Sequence, residues 1–528
     1  MVRVRSMAAA LTMAVVFGVG NGISQTDELG IDPLLLVSLK ECRNITAQLG
    51  NRLFPNWDFG KTPILFYKPN VQELLINFPH KPKGFSLYTG FNPLGDKTIY
   101  VRNDSTFFSV DDQNTSLEIE GVTVLVVADP GSRMRNQIRG TFFYHPKDVV
   151  VQWLDQWNFL QSPYDEIDLI LHEAFHVYQN KMASDKGANE MMVTQYPLLD
   201  PANNALFVLE AGILKDALLA QDRQIRLDKI REFVAVRSFR QSLLDSSCVE
   251  YENLTEFSEG LAKYVEYRFL KLGESVEPIT EMSFHAGFHG YRGVLPGSFE
   301  KSINNMVDVV AVNDDRFGNK FGSGPLRFKL YETGACQAML LDETMPDWKT
   351  KIFRENVFLS DLLKASVSLT GPERDHCLAR AKSEYKYDEA YRNKLQFQSD
   401  GKKKIDDALN SILKTEGTLV RISYEGFVDR IGLGGFTPFG VTQVTKQSAI
   451  YDLVPIRVIF KEGVELQMKQ VIPVLIDKEK KMVVFAVAAP VPEQNPSGDN
   501  AIETADFRLS FSKADITREG HAIDIRLK

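Results

Sequence analysis

One stretch of the chain carries residue types at a spacing suited to metal chemistry: Leu169-Ile170-Leu171-His172-Glu173-Ala174-Phe175-His176-Val177-Tyr178. On a helix, His172 and His176 fall one turn apart on the same face, so both imidazoles can bind one zinc ion with Glu173 beside them. A catalytic zinc takes three protein ligands and keeps a fourth position open, so one more ligand must come from another segment. The helical stretch Glu256-Phe257-Ser258-Glu259-Gly260-Leu261-Ala262-Lys263-Tyr264-Val265-Glu266 offers Glu259, followed by small residues that permit close approach. We take Glu259 as the third ligand. Glu210, in Phe207-Val208-Leu209-Glu210-Ala211-Gly212, competes for that place. His285 and His289 repeat the i, i+4 spacing, but Gly287 and Gly290 make a poor helix, so a loop lining the cleft is expected there rather than a second metal site.

His172-Glu173-x-x-His176 followed by a Glu259-Gly260-Leu261-Ala262-x-Tyr264 helix resembles the gluzincin clan of zinc metallopeptidases, the thermolysin-like group. It is most similar to the exported members labelled peptidase MA-like. The likeness runs over about residues 165–344, and includes Phe233-Val234-Ala235-Val236-Arg237 and Tyr331-Glu332-Thr333-Gly334-Ala335. It implies His172, His176 and Glu259 as zinc ligands and Glu173 as general base. The ion would lower the pKa of its water from 15.7 towards about 7 and polarise the substrate carbonyl. The resemblance also implies a Tyr or His from a later helix as donor to the oxyanion, and Tyr331 is the candidate. In one respect the chain departs from the pattern. Thermolysin-type enzymes place an acidic residue four positions after the ligand Glu, where this chain has Lys263. Orientation of a ligand histidine then falls to Glu256, Glu266 or a backbone carbonyl.

These side chains need a helical frame. Period-3.6 patterning predicts helices at 165–181, 202–220, 227–244, 254–270 and 326–341, inside a mostly helical, zincin-like region of residues 165–414. A Gly/His/Phe-rich loop at 284–297 interrupts it, and residues 381–414 read as a solvated helix or connector. Before it, residues 25–164 read as an α+β part with a helix at 34–53 and strands at 63–67, 98–101 and 122–127. The last of these strands is expected to be an exposed sheet edge beside the metal, able to receive an extended peptide. After it, period-two runs at 419–424, 456–460, 482–487, 507–511 and 523–527 predict a separate all-β domain, residues 415–528, of sandwich or barrel type. Residues 432–436 read as a loop of that domain. The fold class is therefore α+β with a mixed N-terminal sheet.

The N-terminus fixes the expected compartment. Arg3 and Arg5 precede an apolar run from Met7 to Val19 and small residues ending at Ser24, a signal-peptide pattern over residues 1–24 that is too short to span a bilayer. A secreted or periplasmic protein with no stable membrane span after cleavage is expected. Cys42, Cys248, Cys336 and Cys377 contain no C-x-x-C pair and allow one or two disulfides. With 61 Lys+Arg against 69 Asp+Glu, a net charge of -8 and no basic block, nucleic acid is excluded as the principal partner. The expected activity is a zinc metallohydrolase, a peptidase with peptide or protein substrates. The rival is a catalytically silent zincin-like binding protein whose C-terminal β domain recognises a protein or glycan. What favours the enzyme is Glu173, for which a purely structural zinc has no use.

Overall fold

The computed structural model describes residues 29–68, 71–95, 98–103, 115–128, 162–313, 320–414, 416–435, 440–488, 490–491 and 501–528. The signal-peptide pattern of residues 1–24 lies outside them. Helix α1 (Pro33–Leu49) begins where the Asp32 carboxylate accepts the Leu34 and Leu35 N–H groups, with Pro33 in the first turn. Its Leu35, Leu39 and Ile45 share a core with a six-stranded sheet built from β1 (Ile64–Lys68), β2 (Gln72–Ile76), β3 (Ser86–Leu87), β4 (Ile99–Arg102), β5 (Thr115–Ile119) and β6 (Val122–Ala128). The order is β3-β4-β2-β1-β6-β5, with β1 and β6 parallel and the other neighbours antiparallel. Phe66, Leu74, Ile76, Leu125 and Val127 join the main core, while Leu65, Leu75, Val124 and Val126 gather on the opposite face.

The strand expected at the sheet edge is not there. β6 is bonded to β1 on one side and β5 on the other, and β5 is the edge. The cause is a hairpin: Glu120 and Gly121 both have positive φ, 47° and 77°, the pairing that lets a two-residue turn fold β5 back onto β6. Thr115–Ile119 has too little apolar alternation to have announced itself as a strand.

Eleven helices follow among the described residues: α2 (Pro163–Met182), α3 (Pro201–Leu219), α4 (Arg223–Gln241), α5 (Ser246–Thr255), α6 (Leu261–Leu272), α7 (Leu295–Asp308), α8 (Gly324–Thr344), α9 (Trp348–Lys351), α10 (Leu359–Val367), α11 (Gly371–Glu384) and α12 (Tyr387–Leu413). Helices α5 and α6 form one continuous rod, interrupted by a single π turn at Glu256–Gly260. Of the two readings of residues 381–414 the helix holds: α12 is largely exposed, with Ala390, Lys394, Gly401 and Ile412 buried, and it packs on α3 and then on the C-terminal sheet. The 284–297 loop does not line the cleft. Its His285 Nε2 lies 3.1 Å from the Leu34 carbonyl, the Tyr291 hydroxyl donates to Glu41 at 2.7 Å, and the Tyr164 hydroxyl donates to the Gly290 carbonyl at 2.8 Å. These bonds seat it on α1 and the first turn of α2.

The C-terminal strands are β7 (Thr418–Ser423), β8 (Gly432–Gly434), β9 (Val441–Thr445), β10 (Ser448–Tyr451), β11 (Arg457–Lys461), β12 (Val464–Met468), β13 (Val474–Asp477), β14 (Met482–Val487), β15 (Ala501–Glu503), β16 (Phe507–Ser510), β17 (Ala514–Glu519) and β18 (Ala522–Leu527). They form a seven-stranded sheet, β17-β18-β7-β14-β13-β10-β9, and a five-stranded sheet, β15-β16-β12-β11-β8. Val420, Ile422 and Phe485 of the first share one apolar core with Val458, Leu466 and Leu509 of the second, which makes a sandwich. The glycines at 432–434 form strand β8 instead of a loop, paired to β11. No disulfide forms: all four cysteines are buried and free. No described helix is long and apolar enough to cross a membrane.

Candidate metal centre

Helix α2 is started by Ser162, whose hydroxyl accepts the Asp165 N–H at 3.1 Å, with Pro163 at the first position and Asp165 and Glu166 in the first turn. Its inward residues Ile167, Ile170, Leu171, Ala174 and Phe175 are fully buried. That apolar stripe fixes the helix's rotation, and His172 and His176 emerge one turn apart with ring centroids 4.9 Å from each other. Ligand atoms of His172, Glu173 and His176 all lie within 4.8 Å of one another.

Each imidazole has its Nδ1 engaged on the side away from the other ring's Nε2. His172 Nδ1 donates to Glu266 Oε1 at 2.6 Å, an acceptor with no proton of its own to offer when ionised. His176 Nδ1 donates to Gln179 Oε1 at 3.0 Å, and the same amide spends its N–H groups on the Phe257 and Ser258 carbonyls, at 2.7 and 3.0 Å. The Gln179 oxygen must therefore be the atom facing His176. Both Nε2 atoms face one oxygen: Glu259 Oε2 lies 3.6 Å from His172 Nε2 and 3.5 Å from His176 Nε2. Those separations are long for hydrogen bonds, yet they match the edge of a tetrahedron around zinc, where ligand atoms 2.0–2.1 Å from the ion stand about 3.3 Å apart. His172, His176 and Glu259 thus fit a zinc ion as three ligands.

Glu259 reaches this place because of the π turn that contains it, and because Gly260 and Gly334 let the rod and α8 touch. A Cβ on Gly260 would stand 2.7 Å from the Gly334 Cα, and one on Gly334 would stand 2.8 Å from the Glu256 carbonyl oxygen. Helix α8 in turn lays Tyr331 over His172, with ring centroids 6.3 Å apart and planes at 23°. Arg327 Nη2 donates to the Tyr331 hydroxyl at 2.9 Å and to Glu259 Oε1 at 3.1 Å.

The electrostatics favour positive charge between the histidines. Burial opposes charge on His172, but Glu259 and Glu266 outweigh it and hold its pKa up to about 10. Burial likewise works against the Glu259 carboxylate, yet His172, His176 and Arg327 keep it well below the usual carboxylate range. Glu173 differs. Burial raises its pKa, only partly offset by the two histidines, and it makes no hydrogen bond or ion pair to another described residue, as suits a base awaiting a proton. Lys263, at the position where the resemblance leads one to expect an acid, donates to Glu266 Oε2 at 2.6 Å. The acid that orients His172 therefore sits three residues further on, one helical turn along the same face.

The competing carboxylates are occupied elsewhere. Glu210 receives Arg237 Nε at 3.0 Å and Arg240 Nε at 2.7 Å, and Glu256 receives Arg237 Nη1 at 2.7 Å and the Thr333 hydroxyl at 2.5 Å. Both sit in a buried ionic network behind the rod. Gln179, Glu266 and Arg327 complete the centre and were not singled out as its parts by sequence reasoning, apart from Glu266 as one of three alternatives. The only signals were positional: Gln179 one turn past His176, and Arg327 one turn before Tyr331.

The centre opens on a cleft of about 590 Å³, lined by the site residues with Ser116 of the edge strand β5, Leu169, Asn180, Val309 and Phe328. A second cluster, Ser38, Glu166 and His285, resembles a hydrolase triad only in composition. Ser38 Oγ donates to Glu166 at 3.1 Å and lies 3.3 Å from His285 Nε2, so the acid meets the hydroxyl rather than orienting the imidazole. Comparison with family models, with curated proteins and with solved structures gives no match to this chain.

Proposed function

We propose that this chain is an exported zinc-dependent peptidase of the gluzincin type. The observation that carries the reading is the convergence of two Nε2 atoms, each on a ring whose Nδ1 is hydrogen-bonded elsewhere, on one oxygen of Glu259, with Glu173 beside them. His172, His176 and Glu259 would hold the ion. A zinc there supplies a Lewis acid for the carbonyl and acidifies water. Glu173 takes the proton from the attacking water as its oxygen bonds to the carbonyl carbon. It then passes that proton to the leaving nitrogen as the C–N bond breaks, giving an acid and an amine. Tyr331 donates to the oxygen that gains charge. The β5 edge, with Ser116 in the cleft wall, suits an extended peptide added as a further strand. The apolar run of residues 7–19 behind Arg3 and Arg5 supports export.

Metal analysis with a peptide-library cleavage assay tests this. Wild type and Glu173→Gln should each carry about one zinc per chain, and loss of the base should lower cleavage by roughly 10²–10⁴-fold. Zinc without cleavage across broad libraries would favour a silent binding protein. Absence of zinc from the wild type would end the reading.

A further inference from the structure

Arg327 sits in the first turn of α8 and uses one nitrogen, Nη2, for two acceptors: Glu259 Oε1 at 3.1 Å and the Tyr331 hydroxyl at 2.9 Å. Its Nη1 is paired with Glu190, in the short turn Glu190–Gln195. A guanidinium is a rigid planar fork, so it fixes the relative orientation of whatever it binds. A carboxylate ligand, by contrast, has two equivalent oxygens and can swing between them. With Oε1 of Glu259 tied back, Oε2 is the oxygen left facing both imidazoles. With one lone pair of the Tyr331 hydroxyl taken by Arg327, its hydrogen is turned to its other partner, the Glu259 carboxylate.

The ion pair itself is gripped from outside. Strand β9 accepts the Ser323 N–H on the Val441 carbonyl at 3.3 Å, one turn before Arg327, and Gln443 Nε2 donates to the Thr194 carbonyl, four residues past Glu190. The Val441 carbonyl and the Gln443 side chain belong to the same strand, two residues apart. One edge strand of the sandwich thus holds both backbone segments that carry the pair.

We propose that Arg327 is the positioning residue of this centre: it selects the oxygen of Glu259 that meets a metal, fixes the Tyr331 hydroxyl beside that carboxylate, and is itself braced by β9. The proposal rests on the metal-centre reading above. It also gives the C-terminal sandwich a role in the chemistry that needs no ligand of its own.

The test uses the full chain, zinc alone as the binding probe, and the quenched peptide that wild type cleaves fastest. In Arg327→Gln, zinc affinity measured against a chromogenic chelator should fall roughly 10–100-fold, as for loss of other partners that orient ligands. Its kcat should fall about 100-fold with KM within about threefold, because the interaction lost acts on the transition state. Tyr331→Phe should reproduce the kcat loss and spare zinc affinity, and the double variant should be no slower than Arg327→Gln, since residues acting as one unit are not additive. Arg327→Lys keeps the charge without the fork and should recover zinc affinity but not kcat. Should Arg327→Gln fail to fold, Gln443→Ala, outside the site, should still lower kcat about three- to tenfold at constant KM. Wild-type affinity and turnover in Arg327→Gln, or in Gln443→Ala where that variant must stand in, overturn the proposal. Wild type that binds no zinc overturns the metal centre first; wild type that binds zinc and cleaves, with indifferent Arg327 variants, overturns this inference alone.

Discussion

At His172 a proton and a metal ion compete for one lone pair, and the competition has a pH window. In the metal-free protein, burial opposes charge on the imidazole but Glu259 and Glu266 raise its pKa from 6.5 to about 10. A raised folded-state pKa contributes stability that is fully present below the unfolded value and is lost as pH rises through the folded one. The melting temperature of the metal-free chain should therefore fall between about pH 6.5 and 10, and the fall should shrink in Glu259→Gln; a flat profile in calorimetry would contradict the charge balance described. Zinc affinity should rise across the same window, because the ion takes the lone pair only after the proton leaves. The two histidines and Glu173 were legible because i, i+4 spacing on a helix is nearly a geometric statement. Glu259 was legible from the small residues behind it. Gln179 and Arg327 were not, since each is an ordinary surface residue type until packing brings a distant backbone carbonyl or carboxylate to it.

The contact between the rod and α8 turns on the absence of two side chains. A methyl at position 334 would meet the Glu256 carbonyl oxygen at 2.8 Å and the Gly260 Cα at 2.9 Å, both backbone atoms that cannot swing aside. Gly334→Ala should therefore push the helices apart and cost about 1–3 kcal/mol, as overpacking does. It should also move Arg327 and Tyr331 away from Glu259, so zinc affinity should drop together with the melting temperature. A variant that melts lower but binds zinc unchanged would separate packing from the site. Helices α2, α3, α4 and α8 were readable because their apolar residues recur at 3.6, while that pattern alone starts α2, α4 and α8 two to four residues late because it takes no account of the caps. β2, Gln-Glu-Leu-Leu-Ile, went unread because those residues favour helix, and sheet neighbours on both sides override them. The π turn has no sequence signature, since the same five residues would continue an α-helix.

Across the whole molecule, the sandwich is bound into the rest of the chain. Ile412 near the end of α12 is buried with Leu419, Ile450, Val484 and Ala522 of the seven-stranded sheet, with Ala408 and Leu409 packed beside them. A chain ended at residue 414 should expose this face, at about 1.5–3 kcal/mol for a fully buried aliphatic side chain such as Ile412, and should bind an apolar dye and melt earlier. Equal melting of the two forms would show the sandwich to be a free appendage. The continuous rod carries a further consequence. Glu252, and Glu256 at the start of the π turn, face the buried arginines; Glu259, late in the turn, and Glu266, beyond it, face the histidines. One surplus residue sets the phase between the halves, and an α-helix turns about 100° per residue. Loss of a single codon within this turn would rotate one set of carboxylates out of reach while leaving the length, composition and apolar faces of the protein almost untouched. In a lineage of such chains, the passage between a metal-binding and a metal-free descendant would be one small deletion wide, with His172, Glu173 and His176 still in place to disguise it.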